Sequence, residues 1–124
     1  MIVGMGIDVA EVKRIQAVIA AQAERFLRRV YTLDEVAYCE QFKNKFERYA
    51  GRFAVKEAAM KALGVGLGAF GWKDVEVVTS LAGRPSLSVR GAAAVLADDQ
   101  GVENWQVSLT HTESLAQAVV AALR

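Results

Sequence analysis

The stretch RFAVKEAAMKALG, residues 52–64, places an acid where its own pattern calls for an apolar side chain. Steps of three and four residues from Phe46 reach Ala50, Phe53, Glu57, Met60 and Gly64, the spacing of one helix face. An ionised carboxylate on a core-facing stripe is costly unless it is paired or bound to a cation. Lys61, one turn further on, offers an exposed salt bridge of about 0.3 kcal/mol, which accounts for tolerance of Glu57 but not for its placement. Asp8 offers a second account. It ends a strand face on which Gly4 and Gly6 leave open space, and facing Glu57 it would complete a pair for a hard divalent cation. Magnesium suits such a pair, because it takes one or two carboxylates, keeps several waters and leaves positions for phosphates. Arg52, Lys56 and Lys61 stand around Glu57 as phosphate donors. Asp8 also has a plain structural reading, as the N-cap of a following helix with Glu11 completing a capping box.

The only histidine, His111, ends the run WQVSLTH on the same face as Trp105, Val107 and Leu109. There it is either a structural residue or a donor to a phosphate; alone it cannot build a zinc site. Arg25, Arg28 and Arg29 flank Phe26 and follow Lys13 and Arg14. They form either a solvated basic edge or a patch for an acidic helix with an aromatic anchor. Gly66, Gly68 and Gly71 spell G-x-G-x-x-G, but a dinucleotide fingerprint follows a strand and opens a helix, whereas this one follows a helix. The Rossmann reading is rejected. Cys39, the only cysteine, reads as a small core residue, so no intrachain disulfide forms and a reducing, cytoplasmic setting is expected.

The elements that position these residues follow from periodicity. Ile2 to Val9 alternates as a strand, with Val3, Met5, Ile7 and Val9 on one face and Ile2, Gly4, Gly6 and Asp8 on the other. Glu11 to Ala23 reads as a helix. Thr32 with Glu35 is a capping box opening a helix to about Gln41, and a third helix runs from about Lys45 to a C′ glycine at Gly64. KDVEVVT and SLSVR form a hairpin across Leu81–Pro85, Gly91 to Asp99 is helical, and Trp105 to Thr110 is a strand. SLAQAVVAALR suits a helix by its alanines or a returning strand by its Ala-Val-Val. One strand, then helices, then strands predict an α+β fold in a single domain spanning 1–124.

The 124 residues are 53% hydrophobic and 23% charged with a net charge of +1, a globular composition without the global field that attracts nucleic acid. No apolar run reaches the roughly 18 residues of a membrane span. The N-terminal MIVGMGIDVAE has no basic segment, which argues against a signal peptide.

Three segments together resemble the 4′-phosphopantetheinyl transferases in their short bacterial form. They are GIDVAEVKRI at 6–15, GRFAVKEAAMKALGVGLG at 51–68 with its F-x-x-K-E-x-x-x-K pattern, and VSLTHT at 107–112. The resemblance implies an α+β homotrimer with a largely antiparallel sheet packed against helices and active sites between subunits. It also implies that SLAQAVVAALR contains a strand. The activity it implies is transfer of the phosphopantetheine arm of coenzyme A to a serine of an apo acyl carrier protein, releasing adenosine 3′,5′-bisphosphate. Asp8 and Glu57 would then hold magnesium, and Glu57 and Lys61 would be catalytic. Arg52, Lys56, Lys61 and His111 would bind the phosphates of coenzyme A. Arg14, Arg25, Phe26 and Arg29 would meet the carrier protein. The competing class is a non-catalytic module that holds an acidic partner on the arginine edge and has no use for a carboxylate pair.

Overall fold

A computed structural model describes all 124 residues. The chain runs β1 (Ile2–Glu11), α1 (Val12–Gln22), α2 (Glu24–Val30), α3 (Leu33–Glu40) and α4 (Lys45–Ala62). After a 3-10 turn at Trp72–Asp74 come β2 (Val75–Thr79), β3 (Pro85–Val89), α5 (Gly91–Asp99), β4 (Asn104–His111) and β5 (Leu115–Leu123). The strands form an antiparallel sheet in the order β1-β5-β4 and a separate β2-β3 hairpin, giving the expected α+β architecture.

Helix α4 is the centre of the molecule, packed on β1 and β5. The glycines of β1 explain how closely it lies. A Cβ on Gly4 would stand 1.9 Å from the carbonyl oxygen of Ala62, and one on Gly6 would stand 1.8 Å from that of Ala58. The helix backbone therefore rests directly on the strand, a contact that only glycine permits. On the same face of the sheet β5 presents Ala116, Ala118, Val120 and Ala122, all buried, to the small residues of α4. The alanines of the last segment thus serve close sheet–helix packing, and the strand prevails over their local helix propensity.

Two features lie beyond what periodicity shows. The large apolar face of β1 is largely exposed. Met5, Ile7 and Val9 are 56%, 54% and 53% exposed, because α4 occupies the opposite, glycine-bearing face of an edge strand. The residues after Ala23 are also a helix of their own, α2, set off by Ala23 at φ 49°, the only non-glycine residue with positive φ. Nothing in the sequence marks that corner, since alanine is not a residue that favours it. The Thr32–Glu35 capping box is formed, and Gly64 follows the C-cap of α4 at φ 71°.

Candidate active site

The register of α4 on β1 places the turn bearing Glu57 beside Asp8. Asp8 is an inward residue of β1 and caps nothing: the N-cap of α1 is Glu11, which makes no side-chain cap bond. Glu57 is half-buried at the edge of α4 rather than in the middle of its core stripe. Burial, then the neighbouring Asp8 carboxyl, push the Glu57 carboxyl up to about 7, while Lys61 and Arg14 pull it down. Lys61 pairs across to the strand and not with Glu57 as the one-turn spacing anticipated. Its Nζ donates to the Ile7 carbonyl at 2.9 Å and to Asp8 Oδ1 at 3.1 Å. A cleft of about 220 Å³ opens here, with Arg14, Phe26 and Phe53 among its walls.

No three His, Cys, Asp or Glu side chains converge anywhere in the chain, which excludes a complete protein-made metal cage. The Asp8–Glu57 pair nevertheless fits a cation that draws its remaining ligands from water and phosphate. Two adjoining carboxyls that resist double ionisation are the electrostatic condition a divalent ion relieves.

A second pocket, about 270 Å³, lies between α4, α3 and β4, with Arg48, Arg52, Tyr38 and His111 in its wall; it shares no residue with the acid cleft. Arg52 is only 4% exposed. Its Nη2 donates to Thr79 Oγ1 at 2.8 Å, its guanidinium stacks 4.2 Å over the Tyr38 ring, and its Nε is buried with no partner. A buried donor left open in a pocket with a second arginine and a histidine can accept an anion. Arg48 was missed in the sequence, although its position one turn before Arg52 on α4 puts both on one face.

Lys56 does not join this edge. It is fully buried, and its three ammonium protons go to Glu35 Oε1 at 2.8 Å, the Trp72 carbonyl at 3.1 Å and the Val75 carbonyl at 2.6 Å. It therefore has no donor to offer a phosphate in this structure. Glu35 in turn accepts from the amides of Thr32 and Val77. This pair ties α4 to α3 and β2. The separation of its members by 21 positions hides it from any spacing rule. Cys39 is buried and its thiol is pushed up to about 12, chiefly by burial, so it is the inert core residue expected.

Of the basic edge, Arg14 and Phe26 line the acid cleft, and Phe26 with Arg29 lines an adjoining apolar hollow. Arg25 is exposed and lines neither. Phe26, Phe53 and Trp72 form a continuous aromatic floor, with ring centroids 6.2 Å and 4.9 Å apart.

Residues 4–122 match the sequence model of the 4′-phosphopantetheinyl transferase superfamily. The chain is 50% identical over 121 residues to the holo-[acyl-carrier-protein] synthase of Solibacter usitatus, with 97% of each covered. It is 42% identical over 120 residues to that of Halothermothrix orenii, covering 97% of this chain and 96% of the relative. Among solved structures it resembles the Neisseria meningitidis holo-[acyl-carrier-protein] synthase, with TM-score 0.89, 29% identity and 100% of both chains covered. It also resembles the Helicobacter pylori enzyme, solved in complex with coenzyme A, with TM-score 0.84, 28% identity, and 95% and 98% covered. With the match spanning both pockets and nearly every element, the chain belongs to the 4′-phosphopantetheinyl transferase superfamily and, within it, to the holo-[acyl-carrier-protein] synthases.

Proposed function

We propose that this enzyme transfers 4′-phosphopantetheine from coenzyme A to a serine of an apo acyl carrier protein in a magnesium-dependent reaction that releases adenosine 3′,5′-bisphosphate. The observation that carries the magnesium reading is the Asp8–Glu57 pair, whose second ionisation is resisted at neutral pH. Asp8 and Glu57 would hold the ion, and the chemistry it supplies when bound is neutralisation of the pyrophosphate.

In the reaction the serine oxygen forms a bond to the β-phosphorus as the bond from that phosphorus to the bridging pyrophosphate oxygen breaks. Such phosphoryl transfer needs positioning and charge stabilisation more than a covalent intermediate. The nucleophile belongs to the partner, so this chain needs no activated serine or cysteine of its own. Lys61 holds a positive charge at the rim, fixed by Ile7 and Asp8. Glu57, once ionised, is the group of the cleft that can take the serine proton, and Lys61 beside it acts as an ammonium that stabilises phosphate charge. Arg14, Phe26 and Arg29 supply a basic rim with an apolar floor for the acidic carrier helix, with Arg25 adding charge outside the cleft.

The pocket of Arg48, Arg52 and His111 would take the 3′-phosphate of coenzyme A, which the open Nε of Arg52 supports. We also infer a homotrimer with active sites between subunits. It is supported by the exposed Met5, Ile7 and Val9 on the edge strand β1, and by the separation of the two pockets within one chain. No helix is long and apolar enough to cross a membrane, in keeping with a cytoplasmic enzyme.

Incubation with coenzyme A, magnesium and an apo carrier protein tests the reading. The carrier should gain the mass of one phosphopantetheine, and a chelator should prevent it. No gain with magnesium present, or an equal gain with chelator, overturns it.

A further inference from the structure

His111 is the one imidazole of the second pocket, and the structure holds one edge of its ring. Its Nδ1 lies 2.9 Å from Glu47 Oε1, with both side chains 20% exposed. Glu47 itself does not line the pocket, whereas His111, Arg48 and Arg52 do. The carboxylate therefore stands behind the imidazole, and the ring separates it from the space where an anion would sit. Glu47 lies one turn before Gly51 on the face of α4 that meets β4 closely: a Cβ on Gly51 would lie 3.1 Å from Leu109 Cδ1.

We propose that Glu47 is a positioning residue, orienting His111 so that Nε2 faces the Arg48–Arg52 pocket and donates to the 3′-phosphate of coenzyme A. A carboxylate only accepts, so Nδ1 must carry a proton. In the neutral ring Nε2 is then a lone pair, which repels a phosphate oxygen. In the imidazolium Nε2 becomes a donor as well, while Glu47 keeps the Nδ1 edge of the ring engaged. The charged and titratable groups around His111 are Glu47, Arg48 and Arg52 of α4 and Tyr38 of α3. Its register partner on β5 is Ala116 and its pocket neighbour from β3 is Pro85, neither charged. Glu47 is thus the only anion directed at the ring in this wall, set against two arginines that disfavour a third positive charge.

The inference rests on the placing of the 3′-phosphate in this pocket, so dephospho-coenzyme A, which lacks that group, is the control substrate. Glu47→Gln should raise KM for coenzyme A about tenfold, the loss of one hydrogen bond to a charged partner, with KM for dephospho-coenzyme A within about twofold. Glu47→Asp should recover part of the loss. In a His111→Gln background the Glu47 substitution should add nothing. Equal rises for both substrates, a full Glu47 effect in the His111→Gln background, or no Glu47 effect while His111→Gln raises KM for coenzyme A would each overturn the proposal alone. If His111→Gln and Arg52→Gln both leave KM for coenzyme A unchanged, the pocket does not hold the phosphate, and both readings fall. Should Glu47→Gln melt early, Glu47→Asp carries the same comparison.

Discussion

Lys56 and Glu57 are neighbours on one helix, yet they sit in opposite electrostatic settings. Lys56 is sealed in a dry box where every proton has an acceptor, and its charge is answered by Glu35. Burial lowers the Lys56 pKa, and the carboxylate opposes that shift. Glu57 is half in water, faces another carboxyl, and is held up to about 7. One site is complete without any other molecule; the other is satisfied only by a proton or a cation from outside. The difference separates charges that organise a fold from charges that wait for a ligand, and sequence motif alone does not draw it, because both residues belong to the same K-E pair.

That contrast can be broken at either end. At the wet end, Asp8→Asn or Glu57→Gln should reduce transfer on the order of a thousandfold, about 4 kcal/mol of transition-state stabilisation, while the thermal midpoint is kept. Near-normal turnover by either variant would remove the pair from the chemistry. At the dry end, Lys56→Met should cost about 3 kcal/mol in urea unfolding, because Glu35 is left buried and charged without its partner. Adding Glu35→Leu should restore much of that loss, and a small loss from Lys56→Met alone would show that the ion pair is not needed.

The pH response sharpens the comparison further. The folded state holds a proton on Glu57 to about pH 7, whereas the unfolded chain releases it near 4.5. Stability of the metal-free protein should therefore fall as pH rises through that window, and Glu57→Gln should flatten the slope. Circular-dichroism melts from pH 4.5 to 8 check it, and an equal slope in the variant would assign it to other groups. The smallest effect is expected at the rim. Arg14→Glu should raise KM for the carrier protein about fivefold at low salt, with little change for coenzyme A and a diminishing difference as salt is added.

Much of this was legible in the sequence where local rules act. The Thr32 box, the Gly64 cap and the glycine-cleared face of β1 each follow from one residue's stereochemistry, and Asp8 was reachable by following that face. What stayed hidden depends on partners far along the chain. Lys56 looked like Arg52 and Lys61 because a helix face does not announce that Glu35 and two carbonyls will close over it. The packed face of β1 stayed open for a related reason: period-two alternation shows two faces but not which one receives a helix, and here small residues, not large ones, mark the packed side. His111 showed itself as a histidine at a strand end, but its hold by Glu47 spans 64 residues.

The central claim is that the proton held on Glu57 beside Asp8 takes the place of a divalent cation. Calorimetric titration of magnesium into the coenzyme A-saturated enzyme at pH 6.5, repeated in two buffers of different ionisation enthalpy, counts the protons released per ion bound. More than half a proton should leave per magnesium in the wild type, and close to none in Glu57→Gln. Magnesium binding without proton release, or with release unchanged in Glu57→Gln, would contradict it.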